Sequence, residues 1–184
     1  MAYQAGRAAE DHLLSSPEVR LPELTADLQH IALARHVTIA TAESCTGGLV
    51  GHSITANAGC SAYYRGGVVS YADEVKIDLL GVPAATVERH GAVSAQVAVA
   101  MAEGVRTRVG ADVGVAVTGV AGPDGGSDAK PVGLTYVAVA GPAGHQVRRH
   151  VWDGDRADNK IRSAAAALEL LVAVLAGPDS GASE

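Results

Sequence analysis

The residues best suited to covalent chemistry lie in segment 41–48, which reads Thr-Ala-Glu-Ser-Cys-Thr-Gly-Gly. Ser44 and Cys45 are both potential nucleophiles. The β-branched run at residues 37–40 predicts a buried strand before the segment, and the apolar residues after it can continue as a helix. The turn would therefore set a nucleophile beside the N–H groups and positive dipole of a helix start. A glycine-rich turn without chemistry is the alternative that this segment alone leaves open.

A serine nucleophile needs a base, and Lys76 is the candidate that the order of the elements favours. Lys76 begins a predicted helix directly after the strand candidate 65–71, which ends at Tyr71. The ends of neighbouring parallel strands meet at one edge of a sheet, which would set Tyr71 and Lys76 beside Ser44. Buried amines give up their proton more readily, so Lys76 could accept the serine proton there. An exposed helix lysine is the alternative.

Two neighbours of Ser44 have open roles. Cys45 is the competing nucleophile, although one residue past the turn it is more typical of a small side chain that packs inward. Glu43 could pair with a lysine or supply a negative charge to the helix start, and the sequence does not decide between the two.

A second glycine-rich segment, residues 118–127, is typical of a ligand cradle, because its glycines would let backbone N–H groups converge on one anion. It lacks the GK[ST] ending of a P-loop, and a flexible surface loop is the alternative. Arg156 and Arg162 are expected to be ordinary solvated residues unless the start of the last helix faces the site. The predicted substrate-binding residues are Thr46, Gly47, Gly48, Thr118, Gly119, Gly122, Gly125, Lys130 and Arg65.

Composition argues against several classes of function. The chain has 184 residues, 48% apolar and 18% charged, which is typical of one folded domain. Its net charge of −6 disfavours broad nucleic-acid binding. Cys45 and Cys60 lack metal-ligand spacing, so we expect no metal site and no cofactor. No signal peptide is evident, and the apolar segment 164–175 is too short to span a bilayer. We therefore expect a cytoplasmic protein with no membrane partner.

The order of the predicted elements indicates a single α/β domain. Strand and helix candidates alternate over residues 37–118, and a strand at 132–140 is followed by a turn and a returning strand at 146–152. This pattern predicts a three-layer α/β/α sandwich with a mostly parallel sheet and one antiparallel edge hairpin. An apolar edge or helix face is compatible with a homodimer. The predicted boundaries are 1–20 for a loose N-terminal extension, 21–176 for the domain and 177–184 for a polar tail.

Taken together, the motifs resemble the C-terminal domain family of the competence/damage-inducible protein CinA, which includes stand-alone nicotinamide-nucleotide amidohydrolases. The resemblance spans residues 24–175, nearly the whole predicted domain. The matching motifs, in chain order, are residues 41–48, 65–76, 79–82, 90–94, 118–126 and 130–133.

The resemblance implies hydrolysis of the carboxamide of nicotinamide mononucleotide, which yields nicotinate mononucleotide and ammonia. It implies that Ser44 is the nucleophile, that Lys76 is the base, and that Tyr71 relays or holds the proton. The implied partner is a small pyridine nucleotide, and no cofactor is required. One alternative is a non-catalytic nucleotide-binding or assembly module of the same family. Another is a cysteine-dependent enzyme that uses Cys45.

Overall fold

The structure, a computed structural model, describes residues 17–177, with side chains from Arg20 onward. Its helices are α1 (Pro17–Arg35), α2 (Leu49–Thr55), α3 (Asp73–Leu80), α4 (Ala84–His90), α5 (Ala95–Val109) and α6 (Arg156–Ala176). Its strands are β1 (Ile39–Glu43), β2 (Tyr64–Val69), β3 (Val113–Gly119), β4 (Leu134–Gly141) and β5 (Gly144–Val151). A 3₁₀ turn at Cys60–Ala62 precedes β2.

The five strands form one sheet in the order β2-β1-β3-β4-β5. Strand β1 runs parallel to both β2 and β3, whereas β4 is antiparallel to its neighbours β3 and β5. Only β4 therefore runs against the common strand direction, and the β4–β5 hairpin closes one edge. This confirms the predicted mostly parallel sheet with an antiparallel edge hairpin.

Helices cover both faces of the sheet, because β1 and β3 are apolar on both faces and must be buried from two sides. On one face, α1, α2 and α6 pack against the odd-numbered residues of β1, β3 and β4. On the other face, α3 and α5 pack against Ala40, Ala42 and Ala116. The predicted three-layer sandwich is confirmed.

The N-terminal boundary differs from the prediction. Residues 17–20 of the predicted extension form the first turn of α1, since proline is well tolerated at the first helical position. The remainder of that extension, and the predicted tail beyond Gly177, lie outside the described residues. Within residues 17–177, no helix is both long enough and apolar enough to cross a bilayer.

The carboxyl ends of β1, β2 and β3 lie at the same edge of the sheet. Glu43, the last residue of β1, is level with Val69 of β2 and Val117 of β3. The ladder continues one residue further, because Ser44 N donates to Val117 O at 2.9 Å and Ser70 N donates to Glu43 O at 2.8 Å. This edge carries the residues described next.

Candidate active site

Ser44 lies where β1 turns into α2, with 8% of its surface exposed. Its backbone is fixed on both sides: its N–H donates to Val117 O at 2.9 Å, and its C=O accepts from Gly47 N at 3.1 Å. Gly47 and Gly48 have φ of +65° and +99°, a region that residues with a Cβ rarely adopt. The turn therefore fixes the backbone of Ser44 at the sheet edge.

Glu43 caps the start of α2 from inside the protein. Its carboxylate, on a side chain that is 2% exposed, accepts from Gly48 N (2.9 Å), Val50 N (3.1 Å) and Gly51 N (2.8 Å). Of the two roles left open by the sequence, Glu43 thus supplies the negative charge at the helix start.

This capping corrects the expected role of the two glycines. The Gly48 N–H is bound by Glu43 and the Gly47 N–H by Ser44, so neither is free to donate to a substrate. The N–H groups of Cys45 and Thr46 have no carbonyl acceptor among the described residues. They lie against the Cys45 thiol instead. Thr46 Oγ1 is buried without a hydrogen-bond partner.

Lys76 is 1% exposed, which excludes the alternative of a solvated helix lysine. Its Nζ donates to Tyr71 O at 3.2 Å and forms an ion pair with Asp73 Oδ1 at 3.3 Å. The amine of this α3 residue is therefore held at the carboxyl end of β2, the strand that neighbours β1 and Ser44. Among the described residues, no hydrogen bond joins Lys76 directly to Ser44.

Tyr71 lies at the same edge, and its hydroxyl is bonded to Arg156 and not to Lys76. The side chain is 60% exposed, and its OH accepts from Arg156 Nη2 at 3.0 Å. Arg156 also donates from Nη1 to Gly122 O at 2.7 Å, so it ties β2, the glycine-rich loop and α6 together. The exception stated for Arg156 therefore applies, because the start of α6 faces the site.

A cleft of about 710 Å³ lies beside this arginine. Its cationic residues are Arg156 and Lys160, one turn apart on α6. Lys160 Nζ lies 3.7 Å from the position that a Cβ on Gly47 would occupy, so the cleft reaches the Ser44 turn. The residues that line it are Ala121, Gly122, Pro123, Val132, Gly154, Asp155, Arg156, Ala157 and Lys160. Lys160 was missed from the sequence, because nothing in its spacing connects it to residue 47.

The other predicted binding residues differ in how close they lie to the Ser44 turn. Thr118 is buried at the end of β3, next to Ser44, and its hydroxyl donates to Ala92 O at 2.9 Å. Gly119 lies close to Cys45, since an added Cβ would be 3.1 Å from the thiol sulfur. Gly125 lies in the exposed part of the loop with φ of +86°.

Two predicted substrate-binding residues, Lys130 and Arg65, lie away from the cleft. Lys130 donates to His90 O at 2.7 Å, so its ammonium binds the end of α4 and not the cleft. Arg65 lies at the start of β2, near Asp112 just before β3; hydrogen bonds from Thr38 lower the pKa of the Asp112 carboxyl most, and the Arg65 charge adds to that shift. That is the amino edge of the sheet, opposite Ser44. The prediction failed for Arg65 because Arg65 and Tyr71 lie at opposite ends of β2, although they are close in sequence.

Cys45 does not have the properties of a nucleophile. Burial raises the pKa of its thiol to about 12, and the nearby Glu43 carboxylate adds to that increase. The N–H groups of Cys45 and Thr46 and the Lys160 ammonium lower the pKa by less. A thiol with this pKa is protonated at neutral pH, whereas the thiolate is the reactive form. The geometry therefore favours Ser44.

Sequence comparisons identify the family of this chain. Residues 22–175 match the sequence profile of the CinA C-terminal domain. A CinA-like protein of Synechococcus sp. is 60% identical over 125 residues, which is 67% of this chain and 29% of that protein. A putative competence-damage inducible protein of Moorella thermoacetica is 45% identical over 161 residues, 88% of this chain and 38% of that protein. The chain thus spans about a third of the length of these curated relatives.

Solved structures give the same result. A CinA superfamily protein from Klebsiella pneumoniae has a TM-score of 0.82 and 35% identity, covering 85% of this chain and 98% of that one. The competence/damage inducible protein CihA from Agrobacterium tumefaciens has a TM-score of 0.79 and 40% identity, covering 84% and 94%. The resemblance found in the motifs is confirmed: this chain belongs to the CinA C-terminal domain family.

Proposed function

We propose that this protein is an amidohydrolase that converts nicotinamide mononucleotide to nicotinate mononucleotide and ammonia through a serine nucleophile and a lysine base. The observation that carries the proposal is the pair of buried side chains, Ser44 and Lys76, at the ends of neighbouring parallel strands. A buried lysine is rare unless it has a partner or a function. The family resemblance supplies the substrate.

The chemistry requires a covalent intermediate. Ser44 Oγ attacks the carboxamide carbon while its proton passes to the Lys76 amine, which acts as the base. The same proton then reaches the amide nitrogen, the C–N bond breaks and ammonia leaves. Water hydrolyses the resulting ester and restores the Ser44 hydroxyl. The oxyanion would take its hydrogen bonds from the Cys45 and Thr46 N–H groups of the turn, which in the structure lie against the Cys45 thiol and would have to leave it.

The cleft beside Arg156 and Lys160, called the α6 cleft below, favours a substrate that carries a phosphate. Arg156 and Lys160 place two positive charges within one helical turn, at the start of a 21-residue helix whose dipole also favours an anion. Asp155 occupies the cap and accepts from Asp158 N at 2.9 Å, so the side chains and not the cap would hold the phosphate.

The reaction is tested by ammonia release from nicotinamide mononucleotide. We expect release by the wild type and none above background by Ser44→Ala or Lys76→Ala, each with an unchanged far-UV CD spectrum. Ligand binding without turnover by the wild type would favour the non-catalytic nucleotide-binding module instead. Undiminished release by both variants would refute the mechanism.

The phosphate site is tested by comparing two substrates. Lys160→Met should raise KM for the mononucleotide about tenfold to 100-fold, as expected when a charged hydrogen bond is lost. KM for nicotinamide riboside, which lacks the phosphate, should stay unchanged. Lys160→Arg keeps the charge and should retain most of the affinity. An equal effect of Lys160→Met on both substrates would remove Lys160 from the phosphate site.

A further inference from the structure

Ser70 is a fully buried serine whose hydroxyl has no hydrogen-bond partner in the structure. It follows directly after β2 and precedes Tyr71, and its N–H continues the ladder to Glu43. Burying a hydroxyl without a partner costs free energy, and such a group in a folded protein calls for an explanation. If position 70 only filled space in the core, alanine would be the more stabilising residue there.

The register places Ser70 beside Ser44 on the same face of the sheet. Ala42 is paired with Val68, and both pack in the cluster under α3 and α5. Side chains alternate along a strand, so the residues two positions further, Ser44 and Ser70, face that same side. Adjacent strands are about 4.8 Å apart, so the two side chains are neighbours, although no hydrogen bond joins their hydroxyls in the structure.

Lys76 reaches this face of the sheet from helix α3. It lies one helical turn before Leu80, which packs in that cluster, and its Nζ is 3.2 Å from the carbonyl of Tyr71, the residue after Ser70. A neutral amine has two hydrogens and one lone pair. Tyr71 O and Asp73 Oδ1 are the two acceptors bonded to Nζ, so Lys76 acting as a base keeps both bonds and has its lone pair available to a hydroxyl.

We propose that the Ser70 hydroxyl carries the proton between Ser44 and Lys76. In the attack step, the Ser44 proton moves to Ser70 Oγ while the Ser70 proton moves to Lys76 Nζ, so that Lys76 becomes an ammonium and Ser70 stays neutral. The reverse transfers deliver a proton to the leaving nitrogen. The relay explains why Ser44 and Lys76 are not directly bonded, and it takes the role that the exposed Tyr71 hydroxyl, bound to Arg156, does not fill.

The relay rests on the proposed function for its natural reaction, but it can be tested without the nucleotide. A fluorophosphonate probe phosphonylates an activated serine: the Ser44 oxygen displaces fluoride, and the serine proton must leave by the same route. The measurement is the rate at which the Ser44 peptide is labelled, followed by mass spectrometry, in the wild type and in variants.

We expect Ser70→Ala to slow Ser44 labelling about 10²–10⁴-fold, the range produced by loss of one acid–base group. Lys76→Ala should be slowed to a similar extent, and the double variant should be no slower than Lys76→Ala, because both changes interrupt one path. Ser70→Ala should melt at the same temperature as the wild type or higher, since it removes an unpaired buried hydroxyl. Ser53→Ala, a buried serine on α2, is the matched control and should label normally.

A second pair of variants holds side-chain volume constant. Ser70→Thr keeps the hydroxyl and should be labelled, whereas Ser70→Val has the same shape without it and should not. Labelling of Ser70→Ala or Ser70→Val at the wild-type rate would overturn the relay, and so would a wild type whose Ser44 is not labelled. If the wild type is labelled with the expected pattern but releases no ammonia from nicotinamide mononucleotide, the relay stands and the proposed substrate is wrong.

Discussion

At the scale of single residues, Ser44 and Cys45 are adjacent in the chain, yet their surroundings separate them chemically. Ser44 lies at the sheet edge beside Ser70, whereas the Cys45 thiol is enclosed near Gly119. With a pKa of about 12, that thiol stays protonated over the physiological range. Its contribution is therefore to packing.

Cys45→Ala should keep most of the ammonia-releasing activity, and iodoacetamide at pH 7.5 should not inactivate the native wild type.

The buried Cys45 thiol should also make the stability of the fold fall at alkaline pH. The folded state holds the Cys45 proton more tightly than the unfolded state, whose thiol has a pKa of 9.0. The stabilisation is therefore complete below pH 9.0 and is lost as pH rises towards about 12.

Thermal melting of wild type and Cys45→Ala across this alkaline range is the measurement. The wild-type melting temperature should fall more steeply than that of the variant. Parallel curves, or rapid inactivation by the thiol reagent, would show that Cys45 is not enclosed as described.

At the scale of elements, the β1–α2 junction depends on a buried charge rather than on a cap residue in the turn. Helix α2 has seven residues and its N-cap, Gly48, offers no side chain. Glu43 satisfies three of the N–H groups at this helix start from the preceding strand. The position of Ser44 therefore depends on its neighbour.

Glu43→Ala should lower the free energy of unfolding by about 3 kcal/mol, because it leaves buried N–H groups without an acceptor. Glu43→Gln keeps one carbonyl oxygen but turns an NH₂ group towards the helix start, so its loss should be smaller, about 1 kcal/mol. Urea denaturation measures both values. Equal stability of the wild type and Glu43→Ala would contradict the capping role.

The sequence predicted this element well in outline and poorly in detail. The strand, the turn and the helix follow from apolar pattern and glycines, and the shared edge of Ser44 and Lys76 follows from parallel strand order. The partner of Glu43 could not be chosen, because a carboxylate can satisfy a helix or a lysine equally well. Arg156 could not be assigned either, since its bond to Tyr71 joins residues 85 positions apart.

At the scale of the whole molecule, the layers are held at a close separation by small residues. Gly114 of β3 lies directly under α5, where an added Cβ would collide with the Ala102 carbonyl oxygen. Backbone cannot move aside as a flexible side chain can. This glycine therefore allows α5 to pack closely on the sheet. The segment before α5, whose Ala92 carbonyl accepts from the Thr118 hydroxyl, is positioned with it.

Gly114→Ala should destabilise the protein by about 1–3 kcal/mol, the usual cost of overpacking, or more if α5 cannot shift. Gly141→Ala is the matched control on the neighbouring strand β4, because its Cβ would lie 3.4 Å from Val113 Cγ2, an ordinary contact. Thermal unfolding of both variants checks the difference. A Gly114 variant as stable as the Gly141 variant would show that the layers are not so closely fitted.

The three-layer architecture was predictable as a whole because alternating strands and helices admit few arrangements. The α6 cleft was not, because it forms where α6 meets a loop more than 30 residues earlier, as in the bond from Arg156 to Gly122 O. Lys130 shows the converse, since a lysine at the end of a glycine-rich loop donates to a helix end 40 residues away. The homodimer stays a prediction.

The most direct test of the account is to trap the covalent intermediate. Wild-type protein would be mixed with nicotinamide mononucleotide, quenched in acid during turnover and digested for mass spectrometry. We expect a nicotinoyl-mononucleotide ester on the peptide that contains Ser44, located on Ser44 by fragmentation and absent in Ser44→Ala. Ammonia release by Ser44→Ala, or an adduct on Cys45, would contradict the account.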